Sequence, residues 1–261
     1  MDQAGDGGVW AAIHASALRE HSPVSLRHAV MACADLLGAT GAGLSMARDG
    51  APREPVLASS PRAEELEELQ FTLGEGPCMD AAAGNRPVLV PDLATASARN
   101  RWPVFAPAAM DHGVRAAFAF PVTTGTALVG VLDVYRAQPG RLGPRELANA
   151  LVLADVVLVL ALDEQGGITA EFDDVLDTAV STRRAQVHQA TGMVAAQLGV
   201  SMTDALVALR AYAYTRGRRL TDVAADVVER KVRLFPRSPS LPINPVPPIG
   251  VDPASSSDQE E

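Results

Sequence analysis

The chain has 261 residues, room for about two domains at roughly 150 residues each. It is 48% hydrophobic, 20% charged and 4% aromatic, so it can bury an aliphatic core and is not disordered as a whole. Its 22 Lys and Arg against 31 Asp and Glu give a net charge of -9, which speaks against a polyanionic partner for the chain as a whole.

The charge is uneven. Residues 181–235 carry 9 basic and 4 acidic side chains, a net +5, while residues 1–180 and 236–261 are acidic. Such an island concentrates attraction for phosphate while the rest suppresses unspecific sticking. A solvated helical face gives the same count. The longest nearly apolar run, 151–162, is interrupted by Asp155 and falls short of the roughly 20 residues that cross a bilayer. The amino terminus lacks a basic stretch followed by an apolar one, so a cytoplasmic chain without a secretory signal is expected. Cys33 and Cys78 can form neither a disulfide framework nor a paired-cysteine zinc site, and are read as reduced thiols.

In chain order, Val9 to Arg19 reads as a short helix with a minor role in the fold. Ser22-Pro23 reads as the start of a second helix, with Leu26, Ala29, Val30, Cys33, Leu36 and Leu37 on one face and Gly38 at its end. Runs 43–47 and 55–59 around Asp49-Gly50 read as an antiparallel pair. Residues 64–69 read as helix, followed by the constrained loop Gly74-Glu75-Gly76-Pro77-Cys78 and a helical turn or two over 79–84. A strand is expected at 87–90, a helix at 100–112, and two strands at 115–123 and 127–136 around Gly125. This pattern implies an α+β domain with a central antiparallel sheet.

From Pro144 a helix is apolar nearly all round, with Leu147, Leu151, Ala154, Leu158 and Ala161 recurring at helical spacing. One face packs on the sheet, and a partner chain is the simplest cover for the other. Gly166-Gly167 reads as an interruption or hinge. Three helices follow: 182–198 closed by Gly199, one started by Ser201-x-x-Asp204, and one capped by Thr221. From Pro236 the composition turns to Pro, Ser and Asp, which reads as a disordered tail.

No HExxH, phosphate-loop, GxSxG or calcium-loop pattern is present, so no catalytic set is visible and a non-enzyme is expected, with no cofactor and no metal site. His14, His21 and His28 recur every seven residues, but Pro23 breaks the helix that would align them. Cys78 is either a sensing thiol or a buried inert one. Arg101-Trp102-Pro103-x-Phe105 and His112 either line a small-molecule pocket or, for Trp102 and Phe105, are core. Arg216, Arg218 and Arg219 crowd the turn between the last two helices, Tyr212 and Tyr214 precede them, and Arg230, Lys231 and Arg233 end the third. Cations neutralise phosphates and aromatic planes stack on unpaired bases. Cations at a helix end also offset its dipole without any partner.

Gln189-Ala190-Thr191-Gly192-Met193-Val194, Leu198-Gly199-Val200-Ser201, Leu209-Arg210-x-x-Ala213 and Leu220-Thr221-Asp222-Val223-Ala224-x-x-Val227-Val228 resemble the ANTAR domain, an RNA-binding module of bacterial transcription antiterminators. The position held by Thr191 is often Lys in that family. Gly74 to Cys78, Arg101-Trp102-Pro103-x-Phe105, His112-Gly113-Val114 and Gly130 to Tyr135 are similar to GAF domains of the kind joined to ANTAR modules in actinobacteria. The Asn-Lys-Phe-Asp-Glu signature of cyclic-nucleotide GAF domains is not visible.

The resemblance implies a helical extension at 1–21, a GAF sensor at 22–162, a helical linker and three-helix ANTAR domain at 163–235, and a tail at 236–261. It implies binding of paired stem-loops in nascent RNA by a homodimer joined through long helices, so that no terminator hairpin forms. Phosphate contacts are assigned to Arg216, Arg218, Arg219 and Lys231, and base or backbone contacts to Gln189, Thr191 and Arg210, the last equally readable as a structural residue. An unidentified small-molecule ligand of the GAF half is expected near Cys78, Trp102, Phe105 and His112. A DNA-binding regulator and a GAF dimerisation module are the rival readings.

Overall fold

A computed structural model describes residues 3–46, 54–165 and 176–234. The Asp49-Gly50 turn, the Gly166-Gly167 hinge and the tail from 236 lie outside the described residues.

Five antiparallel strands, β1 (Gly41–Met46), β2 (Glu54–Ala58), β3 (Val88–Val90), β4 (Ala116–Thr124) and β5 (Ala127–Arg136), form one sheet in the order β2-β1-β5-β4-β3. Strand alternation gives it two different faces. Ala42, Leu44, Phe118, Phe120, Leu132 and Val134 turn to one side. They meet α1 (Gln3–Glu20), α2 (Leu26–Leu36) and α7 (Pro144–Gln165) through Val9, Ile13, Ala29, Cys33, Leu153 and Val157. Ala117, Ala119, Val131 and Tyr135 turn to the other. There the small side chains of β4 let α4 (Pro77–Gly84) lie close, beside α3 (Pro61–Leu73), α5 (Ala96–Arg101) and α6 (Phe105–Asp111).

Three local expectations in the first part of the chain are corrected. The first helix is part of the core, since Val9, Ile13 and Ala17 are at most 3% exposed against α2 and α7. The second helix starts at Leu26 with Ser25 as N-cap, three residues after the Ser22-Pro23 pair, because His28 Nδ1 reaches back to accept the Ser25 N–H at 3.1 Å. The helix expected over 100–112 is two helices broken at Trp102, whose φ of -132° and ψ of 76° reflect the proline that follows it.

At the β5–α7 junction, Arg136 ties three elements: its guanidinium donates to the Leu37 carbonyl after α2 and pairs at 2.5 Å with Glu146 of α7. Glu146 also accepts the Gly143 N–H at 2.7 Å.

The remaining helices, α8 (Leu176–Leu198), α9 (Met202–Thr215) and α10 (Leu220–Val228), close on a core of Val187, Ala190, Val194, Leu209, Ala213, Leu220, Val223 and Val227. Gly199, at φ +68°, turns the chain after α8, and Ser201 caps α9 by accepting the Asp204 N–H at 3.1 Å. The N-cap of α10 is Arg219 rather than Thr221, which lies inside the helix. Phe71 of α3 is a member of this same core, so the three-helix unit and the sheet domain share a hydrophobic contact.

Candidate functional site

The cationic segment gathers at two ends of the helical unit. Arg216, Gly217 and Arg218 form the turn between α9 and α10, and Arg219 caps α10. Arg216 lies over the Tyr212 ring at 5.0 Å, a cation–π contact that leaves the guanidinium edges open to an acceptor. Arg218 pairs with Asp226 at 2.7 Å and stays 38% exposed. Arg219 is 4.0 Å from Glu64 of α3. Beyond α10, Arg230 takes a left-handed conformation at φ +61° and lines an open cleft with Arg233, Met193, Ala196, Gln197 and Val227. Lys231 pairs with its neighbour Glu229. Gln189 is exposed on α8.

Two assigned residues point elsewhere. Thr191 is 5% exposed and its hydroxyl donates to the Val187 carbonyl at 2.7 Å, so its side chain is buried in the helical unit. A threonine one turn above a carbonyl satisfies itself within the helix. Arg210 lies against α3, its guanidinium 5.4 Å from the centre of the Phe71 ring. Its Nε and Nη2 are buried without hydrogen-bond partners, and burial lowers its pKa. Gly74, left-handed at φ +68°, ends α3 beside it; a Cβ there would meet Arg210 Nη1 at 3.0 Å. The same helix face presents Glu68 to the Thr221 N–H and hydroxyl, both at 3.4 Å. Burial raises the Glu68 pKa, and the Thr221 hydrogen bond opposes that shift.

Within the sheet domain, the motif residues expected around a ligand are mostly structural ties. Trp102 and Phe105 are 2% and 0% exposed in the core. Glu75 of the glycine-rich loop caps α6 by accepting the Val104 and Phe105 N–H groups at 2.8 and 2.6 Å. Asp80 accepts from Arg101 at 2.6 Å and from Trp102 Nε1 at 3.2 Å. His112 stays at the surface, 3.2 Å from Glu65. The loop and the Arg-Trp-Pro motif therefore hold each other in place.

Cys78 is the exception, because it opens on a buried polar centre that residue spacing could not reveal. Glu67 of α3 accepts from the Ser45 hydroxyl at 2.7 Å and from the Tyr135 hydroxyl at 2.6 Å. Gln70 donates to Tyr135 at 2.8 Å and accepts the Cys78 N–H at 2.8 Å. Asp133 of β5 is also buried there. Burial is the largest influence on these groups: it pushes the Glu67 carboxyl up to about 7 and raises Asp133, Cys78 and Tyr135 well above their ordinary values. The sequence signals for this centre are Cys78 after its constrained loop and an acidic residue inside the apolar strand 130–135.

No single helix among the described residues is long and apolar enough to cross a membrane. Family models match residues 25–163 as a GAF domain and residues 176–228 as an ANTAR domain. No curated protein matches the chain. Among solved structures, it is similar to the GAF domain of a phosphoenolpyruvate-protein phosphotransferase from Coxiella burnetii, at 13% identity and TM-score 0.47 over 62% of this chain and 97% of that one. The corresponding Acinetobacter domain gives 13% identity and TM-score 0.46 over 64% and 97%. A GAF domain of Synechocystis in its photoproduct state gives 17% and 0.43 over 55% and 96%. With the five-stranded sheet and the carboxyl-terminal helices accounted for by the two models in turn, the chain belongs to the GAF family and joins that domain to an ANTAR domain, the make-up of a GAF–ANTAR regulator.

Proposed function

We propose that the chain is a signal-responsive transcription antiterminator whose ANTAR half binds stem-loops in nascent RNA and whose GAF half receives the signal. The observation that carries this reading is the cationic turn Arg216, Arg218 and Arg219, with Tyr212 beneath the first, in a chain otherwise acidic. Those side chains neutralise phosphates of a loop, and Gln189 on α8 supplies a neutral polar contact. Work on nascent RNA calls for a cytoplasmic protein.

Two loops held at once require two copies of the module. The outer side of α7 leaves Leu151, Val159 and Leu162 exposed at 46%, 57% and 47%, and a second copy covers them. Linking two modest sites makes the second binding event intramolecular, so a pair of hairpins is held far more tightly than one.

The position of Arg218 and Arg219 at the start of α10 is one that major-groove readers use, which favours a duplex-DNA reading. Against it, that end of α10 rests on α3 through Thr221 and Glu68. One titration series separates the two: paired hairpin RNA, single hairpin RNA and duplex DNA of matched length, each at several salt concentrations. The antiterminator reading expects the paired RNA to bind tightest with a marked salt dependence. DNA bound as tightly as RNA replaces it with the duplex reading.

A further inference from the structure

The buried polar centre of the GAF half has the composition of a coordination site. Glu67 from α3, Cys78 from α4 and Asp133 from β5 are 1%, 3% and 1% exposed. Their ligand atoms, two carboxylate oxygens and the thiol sulfur, lie within 4.8 Å of one another. Asp133 Oδ2 is buried with no hydrogen-bond partner. No salt bridge among the described residues reaches Glu67 or Asp133, and the two carboxyl groups hydrogen-bond each other. Such a set is stable only if it stays protonated or shares a cation, since isolated charges removed from water are strongly disfavoured.

The donors are also pre-oriented. One hydrogen-bonded chain runs from the Cys78 N–H through Gln70 and Tyr135 to Glu67, and Ser45 fixes the second Glu67 oxygen. Two glycines make room for it. A Cβ on Gly43, which pairs with Asp133 across the sheet, would collide with the Glu67 carboxylate, and one on Gly76 with Gln70. Outer residues that orient ligands in this way are what metal centres use.

We propose that Glu67, Cys78 and Asp133 form a site for one divalent transition-metal ion of the zinc or ferrous class. Sulfur with two carboxylates suits a borderline cation, whereas calcium and magnesium take oxygen-only sets with more ligands. Bonds of about 2.3 Å to sulfur and about 2.1 Å to oxygen put tetrahedral donors roughly 3.5 Å apart, so small side-chain rotations close the observed spread. Three protein donors leave a fourth position for water or an incoming ligand.

The test is titration of the reduced, chelator-stripped full-length chain with Co²⁺. One equivalent is expected to bind with a thiolate-to-cobalt charge-transfer band that Zn²⁺ then displaces. Cys78→Ser should remove the band, while Cys33→Ser, on the opposite side of the sheet, should keep it. Tyr135→Phe, which frees one Glu67 oxygen, should weaken binding about 10–100-fold without removing the band. Asp133→Asn, checked for folding by circular dichroism, gives a second route to the same loss. Failure of the parent chain to bind Co²⁺ stoichiometrically, or a band that survives Cys78→Ser, overturns the proposal.

Discussion

The guanidinium of Arg210 lies over the ring of Phe71 at 5.4 Å, joining the ANTAR helix α9 to the GAF helix α3. Phe71 is 3% exposed and its ring belongs to the core of the helical unit. Phe71→Ala should lower stability by about 3–5 kcal/mol in denaturant titration, the usual range for truncating a core aromatic. Arg210→Met keeps the packed stem and removes buried donors that have no acceptor, so it should stay within about 1.5 kcal/mol of the parent. Arg210→Ala should fall further. If Met and Ala are equally damaging, the charge and not the packing holds the two helices together here.

Arg218→Ala with Arg219→Ala should weaken hairpin RNA binding and reduce the salt slope by about one for each phosphate that is no longer neutralised. The GAF half should stay folded, because the two side chains are surface groups, 38% and 47% exposed. Unchanged affinity and slope would remove this turn from the RNA surface.

Val159→Asp with Leu162→Asp places two charges on the exposed side of α7. Sedimentation should then report a monomer with an unchanged far-ultraviolet spectrum, and RNA carrying paired hairpins should bind no better than a single hairpin. A dimer that persists would assign pairing to another surface.

Glu146 carries a pH-dependent share of stability. The Gly143 N–H first, and Arg136 after it, hold its carboxyl below the usual glutamate value of 4.5. A depressed carboxyl contributes stability above its unfolded pKa and loses it as pH falls through the folded value. Glu146→Gln should therefore destabilise by about 0.5–1 kcal/mol at neutral pH, after allowance for solvent around a side chain 35% exposed, and the difference should vanish in acid. Thermal melts of both proteins from pH 7 downward measure it.

The elements with strong punctuation were legible in the sequence. Gly38, Gly125 and Gly199 mark chain turns in the structure, each at positive φ, and Ser201 caps α9 as its spacing with Asp204 implies. The start of α2 was not legible, because a His accepting from the N-cap backbone outweighed a Ser-Pro pair three residues earlier. Glu75 of the glycine-rich motif was visible, but its work was not: Glu75, with Asp80 beyond the motif, binds the Arg-Trp-Pro segment across about twenty to thirty residues of chain, a pairing that only the folded geometry creates. The centre of Glu67, Cys78 and Asp133 was hidden for the same reason, since its members come from three elements with no common spacing. Thr191, expected to make a base or backbone contact and standing where the resembled family often has Lys, is buried with its hydroxyl bonded inside α8.

Helix α3 has one side in each half of the protein. Glu67 and Gln70 reach into the GAF interior, while Glu64, Glu68 and Phe71 meet Arg219, Thr221 and Arg210. The two sets alternate along about two turns of one helix, so the inner and outer contacts lie within roughly 10 Å of each other along its axis. Substitutions on its inner and outer sides therefore act on one and the same short helix, which makes α3 the element common to the polar centre and the seat of the cationic turn.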